Sequence, residues 1–300
     1  MATPYTHIAQ NKRQTALVVV AFVLVISALG FFFDLYFGSE GFVYTGVALI
    51  FAGISSFISY YNSDKIVLAI SGARKVTPNE NEALHDLVEN MAIASGLPKP
   101  EIYMIEDTAM NAFATGRDPD HSVICFTSGI VAALDKRELE GVIAHEMSHI
   151  GNRDILLMSV VSVLVGSITL LADWFTRGRS YRSRRRSKSS SMPPVVMALG
   201  LVLVLLSPVI AQLIKLALGR KREFLADSTA VMLTRYPQGL ANALRKLSSD
   251  REILEAANGA TAHLYITSPL QGRGSPTTWF SKLFSTHPPV EERIVRLESM

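Results

Sequence analysis

Four long stretches almost free of charge constrain this chain more than any other feature. Ala16–Phe33 runs for 18 residues without a charged side chain and Gly41–Tyr61 for 21. Ile155–Phe175 carries only Asp173, and Met192–Ala217 only Lys215, each near the end of its stretch. At 1.5 Å per helical residue, each is long enough to cross about 30 Å of hydrocarbon. They also account for an apolar content of 49% in 300 residues, high for a water-soluble protein. The pattern predicts a polytopic membrane protein. Ala16–Phe33 is too long for a signal-peptide core, and no small-x-small cleavage site follows Phe33, so it is expected to stay as an anchor.

The apolar stretches divide the chain into four parts. Residues 1–61 are expected to form a transmembrane hairpin around a short acidic turn with Asp34 and Glu40. Residues 62–154 form a first polar block, residues 155–219 a second hydrophobic hairpin, and residues 220–300 a second polar block. In the first polar block, Thr77-Pro-Asn-Glu80 reads as a capping box opening a helix with the stripe Leu84, Leu87, Val88 and Met91, ending near Gly96. Ile102–Ile105, Asn111–Gly116 and Ser122–Phe126 read as short strands. The second polar block is expected to be helical to about Ala257 and to close on a helix through Val290, Ile294 and Leu297. The sum is an α+β, mainly helical protein with a small sheet.

Near the end of the first polar block, just before the second hydrophobic pair, stands His145-Glu-Met-Ser-His149. Asp135 with Glu138 reads as a capping box, and Leu139, Val142, Ile143, Met147 and Ile150 recur at helical spacing before Gly151 stops the run. On that helix the two imidazoles lie on one face, one turn apart, where both can hold a single Zn²⁺. Glu146 leans toward the open side of such an ion and can take a proton from an attacking water. Either histidine alone would read as an ordinary core or surface residue.

Hydrolytic zinc takes three protein ligands. Glu223 in Arg222-Glu-Phe-Leu-Ala-Asp227 is the leading third candidate, with His287, His263 and Asp154 as competitors. Asp227, four residues on, shares its helix face and is placed to accept a hydrogen bond from the far nitrogen of a ligating histidine. The bland alternative is a charged surface face beside Lys221 and Arg222. The single cysteine, Cys125, reads as a small buried hydrophobe and allows no intramolecular disulfide. His7, His85, His121 and His263 read as surface or loop residues.

His145–His149, Glu223–Asp227, Asn111-Ala-Phe-Ala114 and Thr286-His-Pro-Pro289 together resemble the membrane-embedded zinc endopeptidases of the HtpX heat-shock protease type, with the CAAX prenyl proteases as more distant relatives. The resemblance covers nearly the whole chain. It implies a gluzincin-like zinc protease domain, one Zn²⁺ per chain on His145, His149 and Glu223, and Glu146 as general base. It also implies that Asn111, Ala112, Phe113 and Ala114 form an exposed sheet edge that takes an extended substrate. Asn111 would hold the substrate or its transition state, and His287 would stabilise the oxyanion. A plain surface strand and a histidine braced by prolines are the structural alternatives. The implied activity is hydrolysis of damaged or misfolded membrane proteins in a stress response, or else dedicated processing of one membrane-associated partner. A catalytically silent scaffold is the weakest alternative. The arginine-rich run 177–188 departs from the family pattern.

Seven cations in Arg177–Lys188, with only Tyr181 for stacking, favour anionic lipid headgroups over nucleic acid. No G-x-x-x-x-G-K-[ST] loop for nucleotide phosphate occurs. Lys12 and Arg13 before the first span, and Lys65, Arg74 and Lys75 after the second, place residues 62–154 in the cytoplasm, and the family resemblance implies a bacterial inner membrane. A full crossing by residues 155–217 would then put the basic run outside, against the same rule.

Overall fold

The computed structural model describes residues 4–37, 41–167, 219–257, 261–267 and 288–300. His287, the basic run 177–188 and most of the second hydrophobic hairpin lie outside them. Two long helices open the chain, α1 (Pro4–Phe37) and α2 (Val43–Ile70), packed as an antiparallel hairpin. By length and composition both can span a membrane, and they leave many apolar side chains exposed, Leu24, Ile50 and Phe57 among them. Asp34 does not sit in a solvated turn. It is buried, and its carboxylate accepts from the Tyr44 and Thr45 N–H groups (2.9 and 2.8 Å), which satisfies donors at the start of α2. Helix α2 runs past residue 61, with a break at Asn62 (φ −131°, ψ 17°), and delivers the chain to the sheet.

The sheet has four strands in the order β1 (Arg74–Lys75), β2 (Glu101–Ile105), β4 (Ser122–Thr127), β3 (Ala112–Gly116). β2 and β4 are parallel; β1 pairs with β2 and β3 with β4 antiparallel. The three strands read from the sequence fall within one residue of place, and β3 is an edge strand. Helix α3 (Glu82–Ser95) begins four residues later than the Thr77–Glu80 motif suggests. Glu80 does reach back to Thr77 N (2.7 Å) and Oγ1, but this closes a turn, and Asn81 supplies the cap by accepting from Leu84 N. Gly96 ends α3 in the left-handed region (φ 67°).

After the short helix α4 (Ser128–Ala133), α5 (Lys136–Gly151) forms the centre of the domain. Its Asp135–Glu138 capping box is closed in both directions, and every residue from Leu139 to Ile150 except Glu140 is buried. Val142, Ile143, Met147 and Ile150 pack against α3, the sheet and the second polar block in one apolar core with Leu84, Val88, Ile124, Phe126 and Leu244. Full burial of each such side chain favours the fold by about 1.5–3 kcal/mol. Helix α6, described over Asp154–Ser167, leaves α5 at 83° through a corner where Arg153 adopts φ 57°. It is buried against α1 and α2, and Ser59 Oγ of α2 donates to the Val160 carbonyl at 3.2 Å.

The second polar block is not one long helix. Tyr236-Pro237 divides α7 (Arg220–Thr234) from α8 (Pro237–Ser249), since proline cannot continue the preceding turn, and the chain is irregular from Asp250 to Ala257. α8 crosses α5 closely enough that a Cβ on Gly141 would stand 2.6 Å from Leu240 N. The terminal helix α9 (Val290–Glu298) packs on α7 and α8.

Candidate metal centre and cleft

The α5 stripe that builds the core also fixes the two histidines. His145, Glu146 and His149 are all buried, and α7 brings Glu223 over them. His145 Nε2 and His149 Nε2 are 3.2 Å apart, and Glu223 lies with Oε2 at 3.7 Å from the first and Oε1 at 3.6 Å from the second. A tetrahedral zinc with ligands at about 2.1 Å holds its donors roughly 3.4 Å apart, so the two rings and the Glu223 carboxylate fit one such ion. Among the described residues this is the one His/Cys/Asp/Glu group with metal-ligand spacing.

The outward faces of both rings are held by carboxylates, which leaves both Nε2 atoms facing inward. His145 Nδ1 donates to Asp227 Oδ1 at 3.0 Å. His149 Nδ1 donates to Asp154 Oδ2, also at 3.0 Å. Asp154, a competitor for third ligand in the sequence, therefore sits on the far side of the ring from the donor cluster. His263, the other described competitor, is also elsewhere. It is buried beside α6 with Nε2 at 3.1 Å from Ser162 Oγ, so it is neither a ligand nor a surface residue. His85 is likewise buried rather than exposed, its Nε2 against the Val76 carbonyl at 3.0 Å. His121 is exposed, as expected, beside Asp118.

Three partners of the centre were not read from the sequence. Arg293 of α9 is fully buried and grips Asp227 with Nε (2.9 Å) and Nη2 (2.7 Å), while its Nη1 lies 3.3 Å from Glu223 Oε2. On the other flank, Asn11 of α1 donates to Asp154 Oδ1 (2.6 Å) and to the Asn152 carbonyl (2.9 Å). Arg222 Nε faces Asn11 Oδ1 at 3.1 Å and Asp154 Oδ1 at 3.2 Å. The first long helix is thus tied by side chains to the histidine pair.

These neighbours divide the electrostatics. Burial and the adjacent Arg293 hold the His145 ring below its ordinary pKa. Burial also opposes charge on His149, but Asp154 and Glu223 outweigh it and hold that ring at about 9. Glu146 is pushed up to about 7, first by burial and then by Glu223, although the Ala114 N–H donates to it. Burial alone raises the Cys125 thiol, in keeping with an inert core residue.

The β3 edge lies above this centre and is covered. Ala112, Phe113 and Ala114 are buried, as is Asn111. The Ile266 N–H donates to the Ala112 carbonyl at 2.9 Å, and Asn111 Nδ2 donates to the Thr267 carbonyl at 3.1 Å. The tip of the Asn111 side chain thus meets residues of its own chain.

Residues 78–300 match the profile of Peptidase family M48. A protein named Protease HtpX homolog from Thermoanaerobacter pseudethanolicus is 44% identical over 303 residues, covering 99% of this chain and 98% of that protein. Homologues of the same name from Tropheryma whipplei and Dictyoglomus thermophilum are 42% and 44% identical, each over 99% of this chain. Among solved structures, S. mikatae Ste24p superposes with a TM-score of 0.52 at 19% identity. That match covers 94% of this chain and 62% of the other, and it is a likeness of fold.

Proposed function

The chain belongs to Peptidase family M48 and is a membrane-bound zinc metallopeptidase, and on that premise we propose how its residues share the work. The observation that carries the reading is the convergence of the inward donor atoms of His145, His149 and Glu223 within 4.8 Å, with Glu146 one residue along the same helix. These three hold the ion. When bound, zinc supplies Lewis acidity toward a carbonyl oxygen and an attacking water. Asp227 and Asp154 fix the two rings in the tautomer that points Nε2 inward. Glu146 takes a proton from the water and returns it to the leaving amine. The β3 edge receives an extended polypeptide through backbone hydrogen bonds, a mode with little sequence preference that suits many substrates. Arg293 stands at the junction of ligand, carboxylate and edge. His287 remains the oxyanion candidate, outside the described residues.

The substrates on this reading are damaged or misassembled membrane proteins and unfolded chains. Residues 62–154 and 220–300 make one catalytic unit in two pieces, carried by the α1–α2 hairpin. The contact of Asn11 with Asn152 and Asp154 supports a single side for the N-terminus and the catalytic residues. The cations Lys12, Arg13, Lys65, Arg74 and Lys75 support the cytoplasmic side. Proteolysis of casein by the detergent-purified protein tests the chemistry. The wild type cuts and stops with a chelator, whereas Glu146→Gln retains zinc near one per chain and does not cut. Wild-type activity in Glu146→Gln would end the general-base assignment.

A further inference from the structure

The free edge of β3 is taken up by the chain itself, in a definite register. In an antiparallel ladder the backbone groups of alternate residues face opposite edges. The Asn111 carbonyl accepts from Thr127 N–H at 3.0 Å and so faces β4, which turns Ala112 and Ala114 outward. Outward from Ala114 lies Glu146, and outward from Ala112 lies Ile266. The neighbouring contacts keep step. The Tyr265 ring meets Phe113 edge-on with centroids 5.1 Å apart, Ile266 meets Ala112, and Thr267 meets Asn111. Numbers rise on one side as they fall on the other, so the bend Tyr265–Thr267 runs counter to β3 and holds its edge by one backbone hydrogen bond. The Ile266 carbonyl accepts from Arg293 Nη1 at 3.2 Å, the same nitrogen that lies 3.3 Å from Glu223 Oε2. One guanidinium group therefore separates this carbonyl from a proposed zinc ligand.

We infer that Tyr265-Ile266-Thr267 sits in the peptide-binding cleft as an internal stand-in for substrate, and that a peptide enters by exchange with it. The inference rests on the reading of the β3 edge as the substrate site. One edge pairs with one strand, so the Ala112 carbonyl cannot serve both. The stand-in also defines a subsite. Tyr265 is fully buried with its ring against Phe113, in one apolar cluster with Val123, Cys125 and Leu264, and its departure opens a hollow in that cluster. A peptide with a bulky apolar residue in that position refills it; glycine or aspartate leaves it wet.

The test uses the full-length Glu146→Gln protein in detergent and a dye-labelled synthetic peptide carrying Leu-Tyr-Ile-Thr at its centre. Adding Ile266→Pro removes the N–H that bonds Ala112. Peptide affinity is expected to rise roughly five- to tenfold, the weight of one backbone hydrogen bond. Replacing Tyr by Gly in the peptide is expected to weaken binding roughly tenfold. In Glu146→Gln alone, saturating peptide should speed hydrogen exchange at the Ile266 amide. That reading decides the matter if Ile266→Pro disturbs the fold. Unchanged Ile266 protection in the peptide complex, with casein still cut by the wild type, overturns the inference and leaves the peptidase reading intact. A peptide that binds neither variant overturns the inference, and casein also left uncut by the wild type overturns both.

Discussion

Asp227 serves two partners at once, and removing its charge separates them. In Asp227→Asn the His145 ring loses an ionised acceptor at 3.0 Å, and Arg293 loses a two-pronged partner while remaining fully buried. Weakening the carboxylate that orients a ligating histidine is expected to lower zinc affinity about 10–100-fold. Leaving a buried arginine without its main partner costs about 3–5 kcal/mol, somewhat less here because Glu223 lies 3.3 Å from Nη1. For a chain of this size that corresponds to a fall in melting temperature of roughly 5–8 °C. The two effects part in the double variant Asp227→Asn/Arg293→Met, where no uncompensated charge remains. Its stability should recover by most of the loss while its zinc affinity stays low. Chelator competition gives the affinity, and thermal unfolding of the metal-free protein in detergent gives the stability. Wild-type zinc affinity in Asp227→Asn would refute the orienting role. Failure of Arg293→Met to restore the melting temperature would refute the ion-pair account.

Three further outcomes follow from the same geometry. Below about pH 9 the metal-free His149 carries a proton that zinc must displace, so affinity should strengthen about tenfold per pH unit from 7 toward 9 and weaken as pH falls; a flat profile in chelator titrations would contradict this. Asn11→Leu removes the donor to Asp154 from a residue distant in sequence, and should weaken zinc roughly three- to tenfold, less than Asp154→Asn, with the α1–α2 hairpin still inserted. Gly141→Ala places a methyl 2.6 Å from Leu240 N and 2.9 Å from its Cα, both backbone atoms that cannot rotate away. It should cost about 1–3 kcal/mol in thermal unfolding even though alanine favours the isolated helix.

The pattern of what was legible in the sequence follows from the range of the interactions. Helix α5 was readable because its capping box, stripe and stop signal lie within one segment, and the histidine spacing is a property of that helix alone. Glu223 and Asp227 were readable as a pair for the same reason, while their pairing with His145 needed the fold. Asn11 gave no signal, since a polar residue before an apolar stretch is ordinary and its partner stands over a hundred residues away. Arg293 did leave a trace: it occupies the i+3 position of the Val290, Ile294, Leu297 stripe, where a cation has no place unless a buried acid meets it. The late start of α3 is a contest between two caps four residues apart, Thr77 and Asn81, which local patterning does not rank. The covered edge of β3 was invisible because Leu264–Thr267 carries no strand periodicity beyond three residues.

The bond between Asn11 and Asp154 sets a height. Five residues separate Asn11 from Ala16, where the charge-free stretch of α1 begins, and for a helix along the bilayer normal that is about 7.5 Å. The polar headgroup layer on one side of a bilayer is about 5–8 Å thick. On the proposed topology, with α1 along the normal, the histidine pair, one side chain beyond Asp154, would ride near the outer limit of the headgroups, where an extended chain covers the distance in two or three residues. On that topology a protein anchored in the same bilayer would present the flank of its own transmembrane helix there without leaving the lipid, while peptide bonds inside the hydrocarbon would stay out of reach.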